Sequence, residues 1–257
     1  EAYRFNEAAG ALYQFVWHSF CDWYLEFTKP LLGGEDEAVK TETRQTTAWA
    51  MEQMLRLLHP FMPFITEELY QQTHDDLLIL AEWPELSPDM QDAAADREIG
   101  FAIELISEIR TVRSEMNVPP GAFITVAVRQ GETDAFKPLI DEAAVMNPVI
   151  KRLARIEQVN VLESDFPKGT VQLPFAEATL GLMLADVIDL DQERSRLQKE
   201  IEKTGKEIDG LDKRLSNEGF LQKAPEDVVA EQRQKREEAA QILSKLNEAM
   251  ERLEALG

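Results

Sequence analysis

The sequence predicts a mainly α protein with an antiparallel helical bundle, a small α+β junction domain and a C-terminal antiparallel coiled-coil hairpin. Three observations support this fold class. Long stretches of helical apolar periodicity fill the first 118 residues, short alternating stretches follow, and two heptad patterns occupy the end of the chain. We therefore predict three domains, at residues 1–118, 119–189 and 190–257.

The first domain is predicted to be a bundle of four antiparallel helices. The first covers residues 3–29 and is ended by Pro30 and by the glycine pair that follows. Its apolar side chains span so wide an arc that we place it in the middle of the bundle. The other helices cover residues 36–59, a short stretch opened by Pro63, and residues 92–115. The residues predicted to face inward are Ala48, Met51, Leu55, Leu58, Ile99, Ala102, Ile103, Ile106, Ile109 and Val112.

The junction domain is predicted from a change of pattern after residues 116–121, which contain two prolines and a glycine. Alternating or short apolar stretches predict four strands, at 123–129, 156–162, 170–175 and 179–184. Helices are expected at 134–146 and 148–153. The order of the strands in their sheet does not follow from the sequence.

The hairpin is predicted from two heptad seams whose apolar positions recur in alternating steps of three and four. The first seam consists of Leu190, Arg194, Leu197, Ile201, Thr204, Ile208, Leu211 and Leu215. The second consists of Val228, Gln232, Lys235, Ala239, Ile242, Leu246, Ala249, Leu253 and Leu256. Turn-forming residues 216–219 separate them, so the two helices can pair antiparallel, with facing residue numbers that sum to 446 or 447. At 1.5 Å per residue the arm is about 40 Å long.

Charge is distributed unevenly along the chain. The formal net charge is −21, of which −18 lies in residues 1–189 and only −3 from residue 190 onward. An acidic surface opposes binding to nucleic acid. On the first arm helix, however, the basic residues fall together on one face away from the seam. A basic stripe of this kind suits a polyanion backbone, although a solvated helix face has the same pattern. The stripe consists of Arg196, Lys199, Lys203, Lys206 and Lys213.

No arrangement of residues in the sequence predicts catalysis, a metal site or a bound cofactor. The three histidines are far apart and lack ligands at zinc-site spacing, and His59 is expected to end a helix. The aromatic residues of 61–64 are expected to pack rather than to stack on bases. The only cysteine, Cys21, excludes an internal disulfide, and no apolar run is long enough for a membrane span, so a cytoplasmic protein without membrane contact is expected. Because the chain opens without Met and already in helical register, we expect it to be a piece of a longer protein.

Several longer motifs closely resemble valyl-tRNA synthetases. RFNEAA at 4–9 and FCDWYLE at 20–26 carry the resemblance. LLHPFMPFITEEL at 57–69 and RSEMNVPP at 113–120 are similar to the anticodon-stem bundle of class I enzymes of the valine, isoleucine and leucine group. The motif LSNEGFLQKAP at 215–225 is typical of the valine enzyme rather than of its isoleucine and leucine relatives. The resemblance extends over essentially the whole chain.

The resemblance implies the C-terminal part of such an enzyme. The bundle would bind the anticodon stem-loop of valine tRNA, and the coiled coil would support the tRNA elbow. The catalytic and editing domains of the same parent polypeptide would be further partners. The parent would be an ATP-dependent ligase, with ATP and Mg in its catalytic domain, whose signature motifs this chain lacks. We therefore expect a monomeric fragment with no catalytic residue and no cofactor of its own.

For tRNA binding we select Arg110 and Arg113, three residues apart near the end of the fourth helix, together with the five residues of the basic stripe. One alternative is a helical protein-interaction scaffold with a coiled-coil arm and no nucleic-acid role. Another is a hairpin that forms an intermolecular dimer. A steep loss of binding with salt would distinguish tRNA from an apolar partner.

Overall fold

The computed structural model describes residues 3–185, 187–217, 219 and 225–254. The chain divides into two compact units, residues 1–99 and 100–257. Long helices and a small four-stranded sheet confirm the predicted fold class. The predicted domain boundaries, at 118/119 and 189/190, stay predictions.

The first unit begins with one continuous helical run. It consists of α1 (Phe5–Gln14), a π-helical segment (Phe15–Tyr24) and α2 (Leu25–Gly33). Pro30 lies inside α2 and does not end it, contrary to the prediction. A proline leaves one carbonyl of the preceding turn without its hydrogen-bond donor, but its φ angle suits a helix. The helical run therefore continues until Gly34, whose backbone is extended.

Two further helices belong to this unit, α3 (Glu37–Leu58) and α4 (Pro63–Tyr70). The Asp36 carboxylate caps α3 by accepting a hydrogen bond from the backbone N–H of Ala38 at 2.8 Å. His59 follows the last residue of α3, as predicted, and its Nδ1 lies 2.8 Å from Oγ1 of Thr66. Short 3-10 turns occur at Leu78–Leu80 and Pro88–Met90.

The first helical run buries less of its aromatic arc than predicted. Phe20 and Phe27 are buried, whereas Tyr13 and Trp17 are 59% and 54% exposed. A π-helical turn contains more residues than an α-helical turn, so the aromatic side chains spread around the axis instead of lining one core. The inward prediction is also wrong for Ala48 and Met51 of α3, which are exposed. Met54 of the same helix is buried instead.

The second unit contains a mixed sheet with the strand order β2-β1-β4-β3. Strand β1 runs parallel to β2 and antiparallel to β4, and β3 is antiparallel to β4. The predicted strand positions are confirmed to within one residue at either end. The bounds are β1 (Ile124–Arg129), β2 (Ile156–Leu162), β3 (Thr170–Phe175) and β4 (Ala178–Met183).

Helix α5 (Ala93–Glu115) begins in the first unit and ends in the second. Within the second unit its Phe101 ring meets the Phe175 ring of β3 edge to face, at 5.3 Å between centroids. Its face toward this core is fully buried. Four of the residues predicted to face inward are buried, namely Ala102, Ile106, Ile109 and Val112. Leu105 is buried as well.

The predicted helix at 134–146 is largely wrong. A 3-10 turn at Gln130–Phe136 leads into the four-residue α6 (Lys137–Ile140). The chain then turns at Asp141, whose carboxylate accepts a hydrogen bond from the N–H of Ala143 at 3.0 Å. This side-chain bond replaces the helical one. Helix α7 (Asn147–Ala154) contains the second predicted helix of the junction.

The arm consists of α8 (Leu190–Leu215) and α9 (Glu226–Glu254). Arg214 Nη1 donates to Gln232 Oε1 at 3.0 Å, so residues whose numbers sum to 446 face each other. Closer to the base, Arg236 Nε donates to Asp212 Oδ1 at 3.0 Å. The later residue of α8 thus pairs with the earlier residue of α9, which confirms an antiparallel hairpin. Glu218 of the predicted turn, the Leu190 side chain and Leu256 lie outside the described residues.

The seam between the two arm helices follows the prediction on α8 and deviates on α9. Among the predicted positions of α9, Ala239 is buried, whereas Lys235 and Ile242 are exposed. The half-buried Leu243 lies inward in place of Ile242. Further along the helix the prediction holds again, because Leu246 is half-buried and both Ala249 and Leu253 are buried.

Candidate nucleic-acid interface

Four lysines of the predicted stripe form an exposed basic surface on α8, which we call the lysine face. It consists of Lys199, Lys203, Lys206 and Lys213. With about 100° of rotation per residue, these four side chains fall within an arc of about 80° on the helix. The exposed acids Glu202, Glu207 and Asp209 lie to either side of that arc. The structure therefore brings together the four lysines that the sequence predicted to share a face.

The lysine face is not neutralised by the rest of the arm. Among the described residues, none of its four ammonium groups lies within ion-pair distance of a carboxylate. Lys213 lies 14 positions after Lys199, so the charges extend along about 21 Å of helix. A row of exposed, unpaired ammonium groups can exchange its counterions for the phosphates of a nucleic-acid backbone.

Arg196 was predicted to belong to the same stripe, and the structure gives it carboxylate partners within the chain. Its Nε lies 2.9 Å from Oε2 of Glu193, and its Nη1 lies 2.9 Å from Oε1 of Glu200. Glu193 is only 6% exposed. The hydrogen bond to Glu193 is the main cause that raises the pKa of Arg196 above its ordinary value. A tRNA contact by Arg196 stays a prediction, but its guanidinium already holds the first turns of α8.

The two arginines selected on α5 differ in environment. Arg113 is 6% exposed, and its Nη2 donates to the carbonyl oxygens of Ala122 at 2.8 Å and Pro119 at 3.2 Å. Burial, and then the positive charge of Arg155, lower the pKa of Arg113. Arg110 is exposed, and its Nε donates to the carbonyl oxygen of Leu153 at 3.0 Å.

The role of Arg113 has a signal in the sequence that the spacing argument missed. Pro119 and Pro120 follow it closely, and proline offers a carbonyl acceptor but no N–H donor. A turn rich in proline therefore needs donors from elsewhere when it packs against a protein surface. A nearby arginine with several N–H groups is a suitable source.

Phe64 of α4 is more exposed than the packing role expected of the aromatic residues of 61–64 predicts. Its side chain is 91% exposed at the start of α4. An exposed aromatic ring can stack on an unpaired base. The described residues contain no cluster of three metal-ligating side chains, and none of the described helices is long and apolar enough to cross a membrane.

Comparison with protein families gives two matches. The family described as the anticodon-binding domain of tRNA ligases matches residues 1–128. The family described as the valyl tRNA synthetase tRNA binding arm matches residues 189–254, which includes the whole lysine face. The chain belongs to the valyl-tRNA synthetase family. Neither match favours the alternative of a protein-interaction scaffold.

Curated valyl-tRNA synthetases from several bacteria are similar along the whole chain. The valine–tRNA ligase of Brucella suis biovar 1 is 48% identical over 257 residues, which cover 98% of this chain and 27% of that ligase. The ligase of Caulobacter vibrioides is 44% identical, covering all of this chain and 28% of the ligase. For Agrobacterium fabrum the identity is also 44%, with 100% and 27% covered. The chain thus spans just over a quarter of the length of these valyl-tRNA synthetases.

Proposed function

We propose that this chain binds valine tRNA and positions it for aminoacylation by a catalytic part of the same valine–tRNA ligase. The observation that carries the proposal is the lysine face of the arm. It lies within the segment that matches the family's tRNA-binding arm, and its charges are exposed and unpaired. Phosphates contacted by such side chains fix the position of an RNA without reading its sequence.

The arm supplies most of the electrostatic attraction. Residues 1–99 hold 6 Lys+Arg and 19 Asp+Glu, so the first unit repels a polyanion on average. Contacts between this acidic unit and an anticodon loop therefore depend on uncharged groups such as the exposed Phe64 ring, which would stack on an unpaired base. Arg110, exposed on α5, is the cation that we assign to the anticodon stem.

The remaining activities belong, in this proposal, to the rest of the parent polypeptide. The catalytic domain would bind ATP and Mg, and the editing domain would act on mischarged tRNA. A cytoplasmic location and a monomeric state complete the proposal. Light scattering at two protein concentrations measures the oligomeric state, and a mass that doubles with concentration would contradict the monomer.

The decisive experiment compares tRNA binding by the chain and by a variant in which all four lysines of the lysine face are replaced by Gln. Each phosphate contact contributes about 0.7 to 0.9 to the slope of log affinity against log salt. We expect the variant's slope to be smaller by about 3. Between 50 and 200 mM salt, the unsubstituted chain then loses about 50- to 150-fold more affinity than the variant.

A control variant with the same net charge separates the lysine face from overall charge. It replaces four exposed cations elsewhere by Gln: Lys137, Arg152, Lys168 and Lys245. We expect its slope to stay close to that of the unsubstituted chain. Valine tRNA and a second tRNA should lose affinity by the same factor when the lysine face is removed. Equal slopes for the two variants would overturn the proposal.

A further inference from the structure

Three helix ends meet at Glu115, where the arm joins the rest of the second unit. Glu115 is the last residue of α5. Its carboxylate forms an ion pair with Arg252 in the last turns of α9. Its backbone carbonyl oxygen lies 3.5 Å from Nη2 of Arg196 in the second turn of α8. Each helix of the hairpin therefore contributes one arginine to the same residue, and we call this arrangement the base clamp.

The base clamp is more enclosed than the ion pair closer to the tip of the arm. The Glu115 side chain is 17% exposed and that of Arg252 is 34% exposed, whereas Asp212 and Arg236 are 51% and 45% exposed. Solvent and salt screen an enclosed ion pair less than an exposed one. The buried side chains of Leu197, Ala249 and Leu253 belong to the same end of the hairpin.

Glu193 and Glu200 fix the position of Arg196 at the base clamp. They bind its Nε, Nη1 and Nη2, and Nη2 also lies 3.5 Å from the Glu115 carbonyl oxygen. The hairpin is thus held at its base through both of its helices, by polar contacts whose geometry is directional. Apolar packing at the seam joins the two helices to each other, whereas the base clamp joins both to α5.

We propose that Glu115 and Arg252 are positioning residues that set the direction in which the arm presents its lysine face to tRNA. The inference rests on the proposed function. A helical arm acts as a lever with a rise of 1.5 Å per residue, which puts Lys199 about 14 Å and Lys213 about 35 Å from the start of α8. A tilt of about 10° at the base moves these positions by about 2 Å and 6 Å. Only the distal lysine then leaves ion-pair range.

The first test measures arm orientation without tRNA. Spin labels at Ser164→Cys in the junction and Asp209→Cys on the arm, in a Cys21→Ser background, report the distance distribution between the two exposed positions. We expect Arg252→Gln to broaden this distribution. Arg236→Gln is the matched control, because it removes the same charge from α9 at an ion pair that only joins the arm helices to each other. It should leave the distribution unchanged.

Glu115→Gln provides a second variant for the same clamp. It breaks the ion pair from the other side and changes the net charge in the opposite direction, so a shared broadening cannot come from charge alone. Retention of helicity by circular dichroism shows that each variant is folded. An unchanged distance distribution in both Arg252→Gln and Glu115→Gln would overturn the inference and would leave the proposed function intact.

The second test measures how the base clamp is coupled to individual lysines. In the unsubstituted chain, Lys199→Gln and Lys213→Gln should each weaken tRNA binding about 5- to 10-fold at 50 mM salt. In the Arg252→Gln background, we expect Lys199→Gln to keep its effect and Lys213→Gln to lose most of it, to less than about 2-fold. In the Arg236→Gln background both effects should persist.

The outcomes separate the two proposals. If Lys213→Gln keeps its full effect in the Arg252→Gln background, the clamp does not position the arm for tRNA and the inference fails. If neither lysine variant affects binding in the unsubstituted chain, the proposed function fails, whereas the distance distributions still decide whether Glu115 and Arg252 hold the arm.

Discussion

Replacement of Arg113 by Met tests whether this buried arginine supports the fold or contacts RNA. Methionine keeps most of the side-chain volume but removes the guanidinium. The change eliminates two hydrogen bonds to the turn after α5, to the carbonyl oxygens of Pro119 and Ala122. Helix α5 and strand β1 lie on either side of this turn, so its opening should be local to their connection.

The expected magnitude follows from the two bonds and from the burial of the donor. A hydrogen bond from a charged group contributes about 1.5–3 kcal/mol. Removal of the guanidinium also relieves an unfavourable burial of charge, because Arg113 is only 6% exposed and burial lowers its pKa. This relief offsets part of the stability lost with the two hydrogen bonds. We therefore expect a net cost of about 2–4 kcal/mol, or about 30- to 900-fold in the local opening equilibrium.

Native-state hydrogen exchange measures this opening directly. The N–H of Val118 donates to the Arg113 carbonyl at 2.8 Å, and the N–H of Ile124 donates to the Arg155 carbonyl at 2.9 Å, so both amides report on the turn. Arg152→Met is the control, because Arg152 is exposed on α7 of the same unit. Exchange of the two amides should accelerate in Arg113→Met only.

Hydrogen exchange and the salt dependence of tRNA binding together distinguish a structural Arg113 from one that binds RNA. If exchange at Val118 and Ile124 is unchanged in Arg113→Met, while the salt slope of tRNA binding falls by about one, then Arg113 binds a phosphate and the assignment to the turn is wrong. If exchange accelerates and the slope is unchanged, the arginine is structural, and Arg110 is the residue to test for contact with the anticodon stem.

Three further predictions concern the stability of the second unit. Leu197 is fully buried in the hairpin, so Leu197→Ala should destabilise the arm by about 2–5 kcal/mol, measured by hydrogen exchange of the α8 amides. If Leu197→Ala lowers the stability of the arm no more than Leu215→Ala, at a half-buried position, the prediction is wrong. At Gly181 in β4, an added Cβ would lie 2.7 Å from side-chain atoms of Phe166 and Thr170, so Gly181→Ala should cost about 1–3 kcal/mol in thermal unfolding. An added Cβ at Gly205 on α8 would meet no neighbouring side chain within 4 Å, so Gly205→Ala should instead stabilise the protein by about 0.5–1 kcal/mol. A similar change in stability at Gly181 and Gly205 would refute the steric explanation.

Periodicity in the sequence was sufficient for the four strands, the two arm helices and the lysine face. Strands β1 to β4 lie within one residue of their predicted ends, and the antiparallel register of the hairpin agrees at Arg214 and Gln232. The reason is that residue spacing alone determines which side chains share a face of one helix or strand. The four lysines needed no tertiary contact to align, because they lie on a single helix.

Tertiary structure decided which charged side chains remain available to a ligand. Arg113 and Arg196 are helical cations like the exposed lysines of α8, yet one supports a turn and the other is bound by Glu193 and Glu200. Those partners come from a turn, from neighbouring helical turns and, for the base clamp, from Glu115 far away in the chain. The sequence determined where positive charge could gather on the arm. Only packing between elements determined that Arg113 supports the turn after α5 and that Arg252 pairs with Glu115 of another helix, because burial and pairing between elements depend on neighbours that periodicity along one element does not specify.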